Sequence, residues 1–265
     1  MSLTESKMSH SIQPLYSPIL YSHIMEIIPL KKPPMKDVKM QCDCIIDEKL
    51  TKYPAVESLF STHNFTIFAG LMGQGKSTLV LQLLSGVFRK VFENIYVIIP
   101  EISLHSISEK DNLYKKHLDD GEHLYHEYSP DTLMEIYEKL IANAEQGHNS
   151  LLIIDDFGSE FKSKETEKIL NKIIIKMRHL HTTVFLLAQG ITQLPLKWRQ
   201  MMTNLVMFNL GKSQLERVFN ETIQLSQPQF ERICSLYKQP HDCIMMSLKH
   251  HRIFKDWDEV KLKDD

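Results

Sequence analysis

The chain has 265 residues, enough for one large domain or one domain with extensions. Its 31 basic and 33 acidic residues, 43% hydrophobic and 24% charged content describe an ordinary globular protein and exclude a polycation that coats nucleic acid. No apolar run reaches the ~18–20 residues needed to span a bilayer, because His23, Glu26 and Pro29 break the stretch from Ile19 to Leu30, so no membrane partner is expected.

The N-terminus lacks the basic-then-apolar pattern of a signal peptide. Cys42, Cys44, Cys234 and Cys243 therefore read as reduced thiols in a cytosol-like compartment. Cys42 and Cys44 have the spacing of half a metal site, but no second Cys or His pair follows closely.

Residues 1–60 are punctuated by Pro14, Pro18, Pro29, Pro33, Pro34 and Pro54, and Lys31-Lys32-Pro33-Pro34 reads as a linker. This region is expected to be an N-terminal arm that packs on the core or reaches a neighbouring subunit. From Asn64 onward the pattern alternates between strand and helix. Phe65 to Ala69 reads as a buried strand ending at Gly70, and Lys76 to Val87 as a helix with Leu79, Val80, Leu83 and Leu84 at helical spacing. Asn94 to Pro100 is a second buried strand. The stretch from Glu101 to Tyr128 is polar, with weak helical character. Ser129-Pro130 predicts a helix start, and Leu133, Ile136, Tyr137, Leu140 and Ile141 form its apolar stripe up to Gly147.

Ser150 to Asp155 is a third strand, Glu165 to Leu180 a helix, Thr182 to Gln189 a fourth strand and Asn204 to Leu210 a fifth. Helices over about 212–224 and 227–238 follow, then a final pair of strands, Asp242 to Leu248 and His251 to Trp257. Unbroken apolar strands between amphipathic helices predict an α/β fold with a mostly parallel central sheet covered by helices on both faces. The expected division is an arm (1–60), one α/β domain (61–257) and a charged tail (258–265). Right-handed crossovers would bring Gly70, Asp155 and Gln189, all at strand C-ends, to one edge of the sheet.

Gly70-Leu71-Met72-Gly73-Gln74-Gly75-Lys76-Ser77 fits G-x4-G-K-[ST], the phosphate-binding loop, and it lies between a strand and a helix as that loop must. Its backbone N–H groups and the helix N-terminus, with Thr78 in the first turn, favour a polyphosphate anion. The expected ligand is a nucleoside triphosphate, ATP first. Lys76 is expected on the β- and γ-phosphates and Ser77 on Mg2+. Leu151 to Asp156 reads as a Walker B strand. Asp155 is expected to hold the Mg2+ and Asp156 to act on the attacking water, or else to cap a turn. Gln189 is expected to sense the γ-phosphate from the next strand end. Arg178 precedes that strand, on the opposite edge. It is badly placed for its own nucleotide, so it is a candidate finger for a neighbour's site or a cation at its helix C-terminus. Arg199 is the second candidate.

The run Asp155-Asp156, Arg178-His179, the strand ending in Gln189, Leu194-Pro195 and Arg199 resembles the poxvirus-type genome-packaging ATPases of large DNA viruses and virophages, within the FtsK–HerA superfamily. The resemblance spans roughly residues 60–257. It implies an additional-strand, RecA/FtsK-like P-loop fold and a homo-oligomeric ring, pentamer or hexamer. It further implies double-stranded DNA threaded through the centre and hydrolysis that drives the genome into a capsid at its portal vertex. The setting it implies is the viral factory in the cytoplasm of an infected host cell, or the virion itself. Lys197-Trp198-Arg199 and Lys249-His250-His251-Arg252 are basic segments available to DNA, with solvated loop charge as the plainer account.

Rival readings remain. Asp155-Asp156-Phe157-Gly158 fits the D-x-x-G of a GTPase switch, but Asn171-Lys172 lies inside a helix and is not followed by the guanine-reading aspartate. The same residues mimic a kinase D-F-G with no H-R-D loop to accompany it. A nucleotide-dependent assembly factor with little turnover would keep Lys76 and Ser77 and be indifferent to Asp156 and Gln189.

Overall fold

The computed structural model describes residues 44–118, 122–155, 163–222 and 225–261. Nine strands form one sheet among them: β1 (Phe65–Ala69), β2 (Asn94–Ile98), β3 (Leu124–Tyr125), β4 (Ser150–Asp155), β5 (Thr182–Ala188), β6 (Asn204–Phe208), β7 (Cys243–Ser247), β8 (Arg252–Lys255) and β9 (Asp258–Val260). Their order is β3-β2-β4-β5-β1-β6-β7-β8-β9. The first six run parallel and the last three are added antiparallel. This is the expected α/β fold with a mostly parallel sheet. Strand β5 stands between β1 and β4, so the sheet has the expected additional strand.

The strands read as unbroken apolar runs because both faces are covered. In β4, Leu152 and Ile154 pack to one side and Leu151 and Ile153 to the other. The first side is covered by α5 (Pro130–Glu145), α6 (Lys164–Lys176), α7 (Leu196–Met201), α8 (Lys212–Thr222) and α9 (Gln227–Cys234). The second is covered by α1 (Pro54–Phe60), α2 (Lys76–Ser85), α3 (Glu101–His105) and α4 (Leu113–His117). Helix starts follow local chemistry. The Ser129 hydroxyl accepts from Thr132 N at the head of α5, and Ser226 with Gln229 closes a capping box on α9.

Several elements differ from expectation at their margins. Residues 54–60, in the expected arm, form α1, whose Val56, Leu59 and Phe60 are core residues. The Phe60 ring meets Phe88 edge-on at 5.4 Å, and the Ser247 hydroxyl donates to Ser58 O at 2.8 Å. Residues 258–260, in the expected tail, make the edge strand β9. The helix expected to run to Leu180 stops at Lys176, and residues 177–181 turn into β5 through Thr182 N–H to Met177 O, 2.8 Å. No described helix is long and apolar enough to cross a membrane.

Candidate active site

Strand β1 delivers the chain to the phosphate loop. Gly70 N–H still donates to Ala188 O of β5 at 3.1 Å, so the loop starts one residue past the ladder. A side chain at Gly70 is forbidden by packing, since its Cβ would lie 2.7 Å from the Phe208 Cβ of β6. Gly75 caps α2 with φ 101°, a left-handed conformation that L side chains resist. The loop curls between these two points, with Leu71 and Met72 exposed and Gly73 and Gln74 completing it.

Lys76 and Ser77 open α2. The Lys76 ammonium folds back over the loop and donates to Gly70 O at 2.7 Å and Leu71 O at 3.1 Å. The Ser77 hydroxyl donates to Asp155 Oδ2 at 2.7 Å, joining the first turn of α2 to the end of β4. Asp155 is buried, only 3% exposed. Two oxygen donors from separate elements, one of them anionic, fit a hard Mg2+ ion, which takes few protein ligands and completes its shell with water and phosphate. Gln189 follows the last residue of β5, between the ends of β1 and β4. Asp156 lies outside the described residues, as does Phe157-Gly158.

Lys76, Ser77, Asp155 and Gln189 line one cleft of about 1030 Å³, ample for a nucleoside triphosphate. Its wall over the phosphate loop includes Thr78, Lys76, Ser77, Asp155 and Gln189. Its far wall is the excursion between β2 and β3, with Ile102, Ser103 and Lys110. Asn112 fixes that excursion: its carbonyl oxygen caps α4 at Lys115 N, 3.2 Å, and its amide donates to Leu104 O at 3.3 Å. Beneath it, burial first and the Asp155 carboxylate second push the Tyr114 phenol well above its ordinary value, so it stays a neutral hydroxyl.

Residues 54–243, well over half of the chain, match the profile of the family described as Poxvirus A32 protein. The chain belongs to this family. As a member it is a P-loop ATPase of the viral DNA-packaging class, and the resemblance drawn from Asp155 to Arg199 is confirmed. No curated protein sequence matches the chain. Among solved structures, the DNA-packaging ATPase B204 of Sulfolobus turreted icosahedral virus is similar at 17% identity and a TM-score of 0.54, over 76% of this chain and 98% of that one. The genome-packaging NTPase B204 of Sulfolobus turreted icosahedral virus 2 in complex with ATP-gammaS is similar at 15% identity and a TM-score of 0.54, over 72% and 95%. EssC (ATPases 2 and 3) of Geobacillus thermodenitrificans matches at 14% identity and a TM-score of 0.51, over 77% of this chain and 41% of that chain. At these identities the likeness is one of fold.

The two arginines of this A32-family chain stand in different surroundings. Arg178 is exposed in the turn before β5, at the sheet edge opposite the cleft. The seven residues of β5 put about 20 Å between that turn and Gln189, more than an arginine side chain reaches. Arg199 is 9% exposed and pairs with Glu221 of α8, which also accepts from Arg217 Nε at 3.1 Å. Burial would raise the Glu221 carboxyl, but the two guanidiniums outweigh it and hold it below its usual range. Trp198 is fully buried, its indole N–H donating to Asn171 Oδ1 at 2.9 Å. Of that basic segment only Lys197 is exposed. In the other, Arg252 is tied to Glu259 at 2.8 Å and lies over the Phe254 ring at 5.1 Å.

Sequence reasoning missed the far wall of the cleft and one residue on its near side. His241 precedes β7 and lines the cleft beside Gly75. Nothing local marks it: it is 165 positions beyond the motif's lysine, and only the antiparallel insertion of β7 returns it to the loop.

Proposed function

We propose that this ATPase works as a subunit of a homo-oligomeric ring, pentamer or hexamer, which threads double-stranded DNA through its centre into a preformed capsid at the portal vertex. The observation that carries the catalytic part is the 2.7 Å contact from Ser77 to Asp155, which joins the end of β4 to the helix that follows the phosphate loop, in a cleft that Gln189 also lines. The B204 proteins, described as packaging ATPases, support the remainder by their shared fold.

In this reading the backbone N–H groups of residues 70–78 cradle the phosphates, and Lys76 neutralises the β- and γ-oxygens. Ser77 and Asp155 would hold Mg2+, which supplies positive charge to the phosphate oxygens when bound. Gln189 orients the attacking water and Asp156 accepts its proton. Water adds to the γ-phosphorus as its bond to the β–γ bridging oxygen breaks, leaving ADP and inorganic phosphate. Arg178, about 20 Å from its own site by the length of β5, would complete the site of the next subunit. Arg199 is the weaker candidate because its guanidinium is buried against Glu221. The ATPase domain of residues 61–257, with α1 packed on it, would carry this chemistry in the cytoplasmic viral factory of an infected cell.

The test is steady-state hydrolysis with and without double-stranded DNA. DNA should stimulate turnover, and Lys76→Ala and Asp156→Asn should abolish it. A preference for GTP, or full activity in Asp156→Asn, overturns the reading. Electron microscopy of the ATP-bound protein tests the ring.

A further inference from the structure

We infer that His241 forms the nucleoside end of the ATP site, with its imidazole stacked on the base. The inference rests on the proposed placement of the phosphates in the Gly70–Ser77 loop. Strand β1 has β5 on one side and β6 on the other. The groups assigned to the γ-phosphate, Asp155 and Gln189, belong to β4 and β5. A triphosphate with its γ end there must extend its ribose and base the other way, across β6 toward β7. Strand β7 is antiparallel, pairing Cys243 with Phe208, so the segment leading into it arrives at the edge where the parallel strands end. His241 occupies that place. Its Nδ1 lies 3.3 Å from where a Gly75 Cβ would be, it lines the same cleft as Lys76 and Ser77, and its side is exposed.

The position is built, not incidental. His241 holds φ 71°, a left-handed conformation seldom kept by a residue with a side chain unless its surroundings fix it. The surroundings do so. Asp242 Oδ2 accepts from the backbone N–H groups of Lys238 at 2.7 Å and Gln239 at 2.8 Å, and Oδ1 takes the Lys255 ammonium at 2.9 Å. The Tyr237 hydroxyl donates to Met207 O of β6 at 3.1 Å, tying the start of the turn to the strand beside the loop. These contacts leave the ring itself uncommitted to the fold and aimed over the loop. A flat imidazole at the base end of a nucleotide cleft suits stacking, which tolerates any base but contributes nothing to a bare polyphosphate.

That asymmetry supplies the test. Binding of a non-hydrolysable ATP analogue and of inorganic tripolyphosphate, each with Mg2+, is measured by calorimetry on the full chain. His241→Gly removes the ring without backbone strain, His241→Phe keeps a ring, and Lys76→Ala removes the phosphate contact. His241→Gly should weaken the analogue about tenfold and leave tripolyphosphate within about twofold, while His241→Phe stays near wild type. Equal weakening of both ligands in His241→Gly, or no change in either, overturns the inference while Lys76→Ala still weakens both. If Lys76→Ala weakens neither, the phosphate placement fails and this inference with it.

Discussion

Replacing Gly70 by alanine asks whether the phosphate loop and the sheet are one rigid unit. The added Cβ would lie 2.7 Å from the Cβ of Phe208, with the next ring atoms at 3.4 Å. Both Cβ atoms are fixed to the backbones of paired strands, β1 and β6, joined in register through Ala69 and Met207. No rotamer change separates them. Carbon atoms rest about 3.5–4.0 Å apart, so the strand end must shift by about 1 Å. Overpacking of this kind costs about 1–3 kcal/mol of stability, which in a domain of this size lowers Tm by roughly 2–12 °C. A displacement of about 1 Å at the phosphates should lower turnover about 100-fold. The assay is ATP hydrolysis with thermal unfolding followed in parallel. Phe208→Ala serves as the internal control. It removes the ring but leaves the offending Cβ, so the double variant should not regain turnover. Wild-type turnover and Tm in Gly70→Ala would refute the argument that Phe208 sets the height of the loop.

Three further outcomes follow from the same structure. Phe60→Ala, which empties the edge-on contacts with Phe88 and Phe185, should cost about 3–5 kcal/mol in denaturant unfolding, and a loss below about 1 kcal/mol would detach α1 from the core. His63 is lowered from 6.5 to about 4 by burial first and by His181, against which its ring stacks at 5.9 Å. Its folded value lies below its unfolded one, so its contribution is full above pH 6.5 and is lost as pH falls toward about 4. Wild type should therefore lose up to about 3 kcal/mol more than His63→Phe across that window, and parallel pH profiles would count against the burial argument. Mixing inactive Arg178→Ala with inactive Lys76→Ala should restore measurable hydrolysis, because one subunit supplies the arginine and the other the intact loop. Arg199→Ala mixed in the same way should behave as a destabilised protein without such recovery, since Arg199 is paired with Glu221 inside its own subunit. The reverse pattern would exchange the two assignments.

What could be read from the sequence was what burial on both faces makes plain. The runs Phe65 to Ala69, Ser150 to Asp155 and Thr182 to Ala188 are buried throughout and dominated by apolar residues because helices cover both sides, and each is a strand within a residue or two of its expected end. The loop from Gly70 to Ser77 was legible because its backbone geometry demands particular residues. Edge elements were not. Leu124–Tyr125 is too short to carry a period, and Asp258–Val260 has two charged, exposed residues of its three, the usual dress of a sheet edge. The short helices α3 and α4 depend on one buried side chain, Asn112, whose partners are visible only in three dimensions. By charge alone, Lys197-Trp198-Arg199 reads as a basic loop. Asn171 and Glu221 come from distant helices and draw Trp198 and Arg199 into the core. The function is carried by motifs at strand ends, whereas only the strand order brings His241 to the cleft.

Strand β5 has one more consequence. Gln189 follows one end of it and Arg178 precedes the other, and every residue between Thr182 and Ala188 is buried. Close-packed interiors yield little under load. If the subunits form the proposed ring, a sensor and a finger serving two different nucleotides are mounted on a single stiff rod. A displacement felt at one nucleotide would then reach the next without passing through a flexible joint. The order in which successive subunits fire would be written into the length and stiffness of seven residues, and a softening substitution in mid-strand would desynchronise the ring before it stopped any one subunit.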